Sequence, residues 1–97
     1  MSETSKSIAR WGETTFGPAS LRALALRARE ELEELIEAID VGESNQSIAL
    51  EAADVSILLH RLCGNLGAEL SDAVDQKMAM NRERKWVKSG DGTGQHK

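Results

Sequence analysis

At 97 residues, 40% apolar by type but only 3% aromatic, the chain can form one small domain, with an interior of leucine, isoleucine, valine, alanine and methionine. A formal net charge of −4 argues against nonspecific binding to nucleic acid, and no apolar run is long enough to span a bilayer. The single cysteine, Cys63, excludes an internal disulfide, and nothing at the start resembles a signal peptide, so a cytoplasmic protein with no membrane partner is expected.

One proline, abundant leucine, alanine and glutamate, and no alternating β-branched runs predict an all-α fold. Residues 1–10 begin with the polar MSETSKS and are expected to be flexible. Ile8, Trp11 and Phe16 form a small apolar group, with Gly12 and Gly17 limiting any helix there to a turn or two. Pro18 then suits a first helical position, opening a long helix to about Val41 that Gly42 terminates. Its predicted seam is Leu21, Ala25, Ala28, Leu32, Leu35 and Ile39, with Glu31 one position outside, in line with Leu24 and Ala38.

A second helix is predicted from Ser44 or Ser47 to near Gly64, with the seam Ile48, Glu51, Val55, Leu58, Leu62. Every neighbour of Glu51 in that row is aliphatic, and an unpaired carboxylate buried there would cost on the order of several kcal/mol. It must therefore be neutralised or paired. A last helix is predicted from Glu69–Ser71 to about Trp86, its row Leu70, Val74, Lys77, Asn81, Arg84 beginning apolar and ending polar and basic. Residues 88–97 are rich in glycine and charge and are expected to be a disordered tail, leaving 11–87 as the working domain.

The two central helices should fold back as an antiparallel hairpin. Counting from the turn, Glu31 and Glu34 on one helix and Glu51 and Asp54 on the other both fall roughly 10–16 Å away. Each pair is spaced i, i+3, so its carboxylates share a surface. Four carboxylates at one level repel unless cations separate them, and oxygen-only donors suit Mg²⁺, with Mn²⁺ as substitute. Glu30, Glu33 and Glu37 read as a solvated face. Lys77, Asn81 and Arg84, at i, i+4 and i+7, offer donors for phosphate oxygens or simply a solvated helix end. His60 falls on the far side from Glu51; Cys63, Met78, Met80 and Trp86 read as packing. Trp11 and Phe16 fit either a stacking platform for a base or an N-terminal apolar plug.

In order, Glu31-Leu-Glu-Glu34, Glu51-Ala-Ala-Asp54 and Lys77-Met-Ala-Met-Asn81-Arg-Glu-Arg84 resemble the three helical motifs of the MazG-like all-α nucleoside triphosphate pyrophosphohydrolases. Trp11…Thr15-Phe16-Gly17-Pro18 is also similar to the opening of short bacterial and phage members. Glu30/Glu33 and Glu34/Glu37 spell the first motif too; Glu31/Glu34 is preferred because Leu35-Ile36-Glu37 follows it. The resemblance covers residues 11–86 and implies a four-helix-bundle-like fold completed by oligomerisation. It implies Mg²⁺ held by Glu31, Glu34, Glu51 and Asp54, with Glu34 as general base. Lys77, Asn81 and Arg84 would meet the polyphosphate and sugar, and Trp11 and Phe16 the base. The implied reaction converts a nucleoside triphosphate to the monophosphate and pyrophosphate, with a tilt towards dGTP and dATP; a dCTP or dUTP pyrophosphatase of the same superfamily is the alternative. A non-catalytic helical dimerisation module would leave Glu51 unexplained, and a di-iron bundle would need a Glu-x-x-His that neither His60 nor His96 supplies. Leu26, Leu50 and Ile57 lie off the hairpin seam, which predicts a homodimer or homotetramer.

Overall fold

A computed structural model describes residues 2–97. Four helices follow in order: α1 (Ser5–Phe16), α2 (Leu21–Asp40), α3 (Asn45–Asn65) and α4 (Leu70–Glu83). Two short strands, β1 (Trp86–Lys88) and β2 (Gly94–His96), close the chain. The all-α architecture and the central hairpin of α2 and α3 are as the periodicity predicts. No helix among the described residues is long and apolar enough to cross a membrane.

The N-terminal segment differs from expectation. Thr4 accepts a hydrogen bond from the Ser7 N–H while the Ser7 hydroxyl accepts from the Thr4 N–H, a capping box that starts twelve residues of helix. Glycine inside a helix costs about 1 kcal/mol against alanine, which is why Gly12 reads as a breaker. Here it marks a close approach instead: a Cβ at Gly12 would lie 2.6 Å from Arg61 Nε. Gly64 on α3 plays the same part, since a Cβ there would land on the Ser5 carbonyl oxygen and 2.5 Å from Ala9 Cβ. The two glycines let α1 settle onto α3.

Helix α2 begins at the N-cap Ser20, whose hydroxyl accepts from the Ala23 N–H at 3.0 Å, and not at Pro18. It ends in a glycine-centred turn: Gly42 takes φ +76° and the Glu43 N–H reaches the Ala38 carbonyl at 3.0 Å. The buried residues are Leu24, Ala28, Glu31 and Ala38: Ala28 belongs to the predicted seam, while Leu24, Glu31 and Ala38 form the row beside it. Leu21, Leu32 and Ile39 stay exposed. By turning its alanine row to α3, α2 carries Glu31 inward and leaves the bulkier side chains outside. Helix α3, capped by Ser44, packs against α2 along one side and α1 along another, with Ile48, Glu51, Val55, Leu58 and Leu62 all partly covered.

Among the helices α4 packs mainly against α3, meets α1 where the Leu70 N–H bonds Ser5, and buries no residue fully. It stops at Glu83, short of the predicted Trp86, and the chain then forms an antiparallel hairpin pairing Trp86 with His96. The tail was expected to be disordered on composition. What orders it is turn chemistry: Asp91 accepts from both the N–H and the hydroxyl of Thr93, at 3.0 and 2.7 Å, between glycines at φ +92° and +94°. The Trp86 indole N–H, bonded to the Asn81 carbonyl at 2.8 Å, ties the hairpin to α4.

The start of α4 is held by a polar cluster. The fully buried Ser5 hydroxyl donates to Glu69 Oε2 at 2.9 Å and accepts from the Leu70 N–H at 2.9 Å. The Ser5 N–H meets the other Glu69 oxygen, also at 2.9 Å. His60 Nδ1 lies 2.8 Å from the same hydroxyl; with the hydroxyl proton given to the carboxylate, Nδ1 is the donor. Ser5, whose segment was expected to be flexible, thus links α1, α3 and α4, and His60 has a structural role.

Two outcomes follow from this packing. Helix propensity alone would make Gly64→Ala stabilising by about 0.5–1 kcal/mol, whereas overpacking against Ser5 and Ala9 should cost about 1–3 kcal/mol. Thermal unfolding should therefore show a lower Tm for the variant. The second outcome concerns acid. Hydrogen bonds from the Ser5 N–H, then from its hydroxyl, hold the Glu69 carboxyl below its ordinary 4.5. A depressed carboxyl contributes stability that is present above the unfolded value and lost as pH falls through the folded one. The stability gap between the parent and Glu69→Gln, measured by urea unfolding, should be full near neutral pH and shrink as pH drops from about 4.5 towards and through the depressed value.

Candidate active site

The buried row of α2 and the partly covered row of α3 meet at their acids. Glu31, Glu51 and Asp54 each offer a carboxylate oxygen, and the three oxygens lie within 4.8 Å of one another. Glu31 is 9% exposed, and Glu51 Oε2 is buried without a hydrogen-bond partner. The hydrogen bond between the Glu31 and Glu34 carboxyls, then burial, push the Glu31 carboxyl above its ordinary range. Burial first, then the charges of Asp54 and Glu34, push Glu51 up as well. Glu34 is exposed, one turn beyond Glu31, and close enough to perturb both. An orphaned buried oxygen amid mutually repelling carboxylates fits a hard divalent cation, which would satisfy the oxygen and cancel the repulsion.

A cavity of about 250 Å³ opens beside Glu31 and Asp54, walled by Trp11, Phe16, Arg27 and Arg61. Trp11 and Phe16 are 58% and 71% exposed and meet edge to face, ring centres 5.5 Å apart. They are not a buried plug; both rings stay largely exposed beside the acids. Two arginines here escaped the sequence reading. Arg27 lies one turn before Glu31 and pairs with it at 2.9 Å, and with Glu30 at 2.6 Å. That i, i+4 spacing was the available signal. Arg61 lies seven residues after Asp54 and is 8% exposed, its Nη2 donating to the Gly17 carbonyl at 2.7 Å. It caps the connection that leads from α1 into α2.

Lys77, Asn81 and Arg84 are not among the residues walling this cavity. They sit on α4, with Lys77 exposed and Asn81 and Arg84 half-buried. The structure thus brings together Glu31, Glu34, Glu51, Asp54, Trp11 and Phe16, and leaves the basic row on a separate element.

No known protein family's profile matches the chain. Over 99% of its length it is 35% identical to a dATP/dGTP diphosphohydrolase of Salmonella phage PMBT28, and over 48% it is 40% identical to a dATP/dGTP diphosphohydrolase of cyanophage S-2L. The chain spans 31% and 45% of the lengths of these relatives. Among solved structures it is similar to the cyanophage S-2L MazG-like pyrophosphohydrolase bound to dGDP and three catalytic Mn²⁺ ions per active site. The TM-score is 0.74 at 29% identity, covering 96% of this chain and 92% of that one. The resemblance to MazG-like pyrophosphohydrolases is borne out by this neighbour, whose fold the chain shares.

Proposed function

We propose that the protein is a divalent-metal-dependent nucleoside triphosphate pyrophosphohydrolase acting on purine deoxynucleotides, releasing the monophosphate and pyrophosphate. The observation that carries this is the convergence of Glu31, Glu51 and Asp54 oxygens within 4.8 Å, beside a cavity walled by two exposed aromatic rings. The dATP/dGTP diphosphohydrolases and the dGDP-bound, Mn²⁺-bound neighbour support the substrate class and the metal.

Glu31, Glu51 and Asp54, with Glu34, would hold Mg²⁺ or Mn²⁺. Bound there, such an ion supplies Lewis acidity towards phosphate oxygens and lowers the pKa of a water. The remaining work falls to the protein's own groups. Glu34, exposed and acting on both neighbouring carboxyls, is the side chain placed to accept the water's proton. Arg27, held against Glu31, can donate to a phosphate oxygen as charge develops. Trp11 and Phe16 offer an edge-to-face corner on which a purine stacks, and Arg61 fixes the connection after Phe16. Lys77, Asn81 and Arg84 are assigned to phosphate and sugar, reached when the nucleotide spans from the acids towards α4.

The test is kcat/KM for four deoxynucleoside triphosphates with Mg²⁺, reading pyrophosphate. Purines should lead. Glu51→Gln should abolish turnover at an equal or higher Tm, because it removes repulsion from the cluster. Arg84→Ala should depress all four substrates alike, by about 10²–10³-fold if it stabilises the transition state. Trp11→Ala should reorder the bases. Full activity in Glu51→Gln would end the metal-site assignment.

Exposed Leu50 and Ile57 on α3, with exposed Val74, Met78 and Met80 on α4, support a homodimer or homotetramer. Light scattering at micromolar concentration should give a mass at least double 10.6 kDa; a lone 10.6 kDa species would refute the assembly.

A further inference from the structure

Arg61 also borders a second cavity, of about 490 Å³, between α1, the approach to α2 and the end of α3. Its polar lining is Lys6, Arg10, Glu13, Thr14, Arg61 and Asn65. Three cations thus face one carboxylate, in a chain with 16 acidic and 12 basic side chains. Lys6 and Arg10 are i, i+4 on α1, and neither they nor Arg61 makes an ion pair within 4.0 Å among the described residues. Three like charges gathered around a single carboxylate repel, which an anion between them would relieve. Arg61 is pinned by Gly12 and by the Gly17 carbonyl, its Nε buried and without a partner, so its guanidinium is held in place in advance. Pro18 and Ala19, just ahead of the N-cap Ser20, complete the wall, and the first turn of α2 carries no acid to offset its positive end.

We propose that this cleft is a second ligand site, for a small phosphate-bearing anion. Its volume lies within the range of about 300–1,000 Å³ typical of small-molecule sites. Arginine forks and a lysine point charge suit phosphate oxygens, and Thr14 and Asn65 add neutral donors. Because the cations are the protein's own, binding needs no divalent metal. That separates this site from the acid cluster, and the proposal stands whether or not the acids hydrolyse nucleotides.

Calorimetric titration of the whole protein in EDTA, with pyrophosphate, inorganic phosphate and a deoxynucleoside monophosphate in separate runs, tests it. Saturable binding of at least one anion is expected, weakening with salt. The tightest binder identifies the source, a free phosphate or a nucleotide. Lys6→Gln/Arg10→Gln, changing two exposed side chains, should weaken binding by about tenfold or more, while Glu51→Gln should leave it unchanged. Absence of binding at millimolar anion would overturn the proposal. So would a double variant that binds as the parent does, or loss of binding in Glu51→Gln.

Discussion

The close approach of α1 to α3 is the constraint on which the rest depends. Among the described residues the buried apolar core is Ala9, Leu24, Ala28 and Ala38, so Leu24 is its one large side chain. Contact between small residues does most of the work of setting the helices in register. Gly64 admits the Ser5 backbone and Ala9, and Gly12 admits the Arg61 guanidinium. With α1 seated, Trp11 and Phe16 come beside Glu31 and Asp54, and Arg61 fills the space between the two cavities. A methyl group at either glycine would move the aromatic wall relative to the acids.

Charge is distributed with the same economy. The chain is acidic overall; three of its acids, Glu31, Glu51 and Asp54, converge where α2 and α3 face each other, and unpaired cations gather around the first turns of α1 and the end of α3. Arg27 moderates the acid cluster without neutralising it: it pairs with Glu31, while Glu51 Oε2 keeps no partner. A folded chain tolerates that imbalance when the unsatisfied groups are the ones that take up a ligand.

Much of this was legible in the sequence because helical period is a strong signal. Glu51 stood out as an acid in an aliphatic row, and α3 partly covers that row. For α2 the period left two adjacent rows in competition. Hydrophobicity favoured Leu32 and Ile39, but close packing favoured Leu24 and Ala38 and drew Glu31 inside with them. Gly12 was misread because a glycine that weakens a helix and one that admits a neighbour look alike until the neighbour is known. Arg61 could not be found from its own helix, since its partner is a carbonyl 44 residues away. The C-terminal hairpin was hidden by composition, because glycine and charge also describe a tight turn closed by Asp91 and Thr93.

The attachment of α4 has a mechanical consequence. Fourteen residues of helix extend about 21 Å, and the helix is gripped at its first residues by Ser5, Glu69 and His60, with light contact to α3 beyond. It is a cantilever. A tilt of about 10° at the gripped end would carry Arg84 sideways by about 4 Å, more than the length of a hydrogen bond. The reach of the basic row is therefore set at the opposite end of its helix, by a serine hydroxyl in the first turn of the protein.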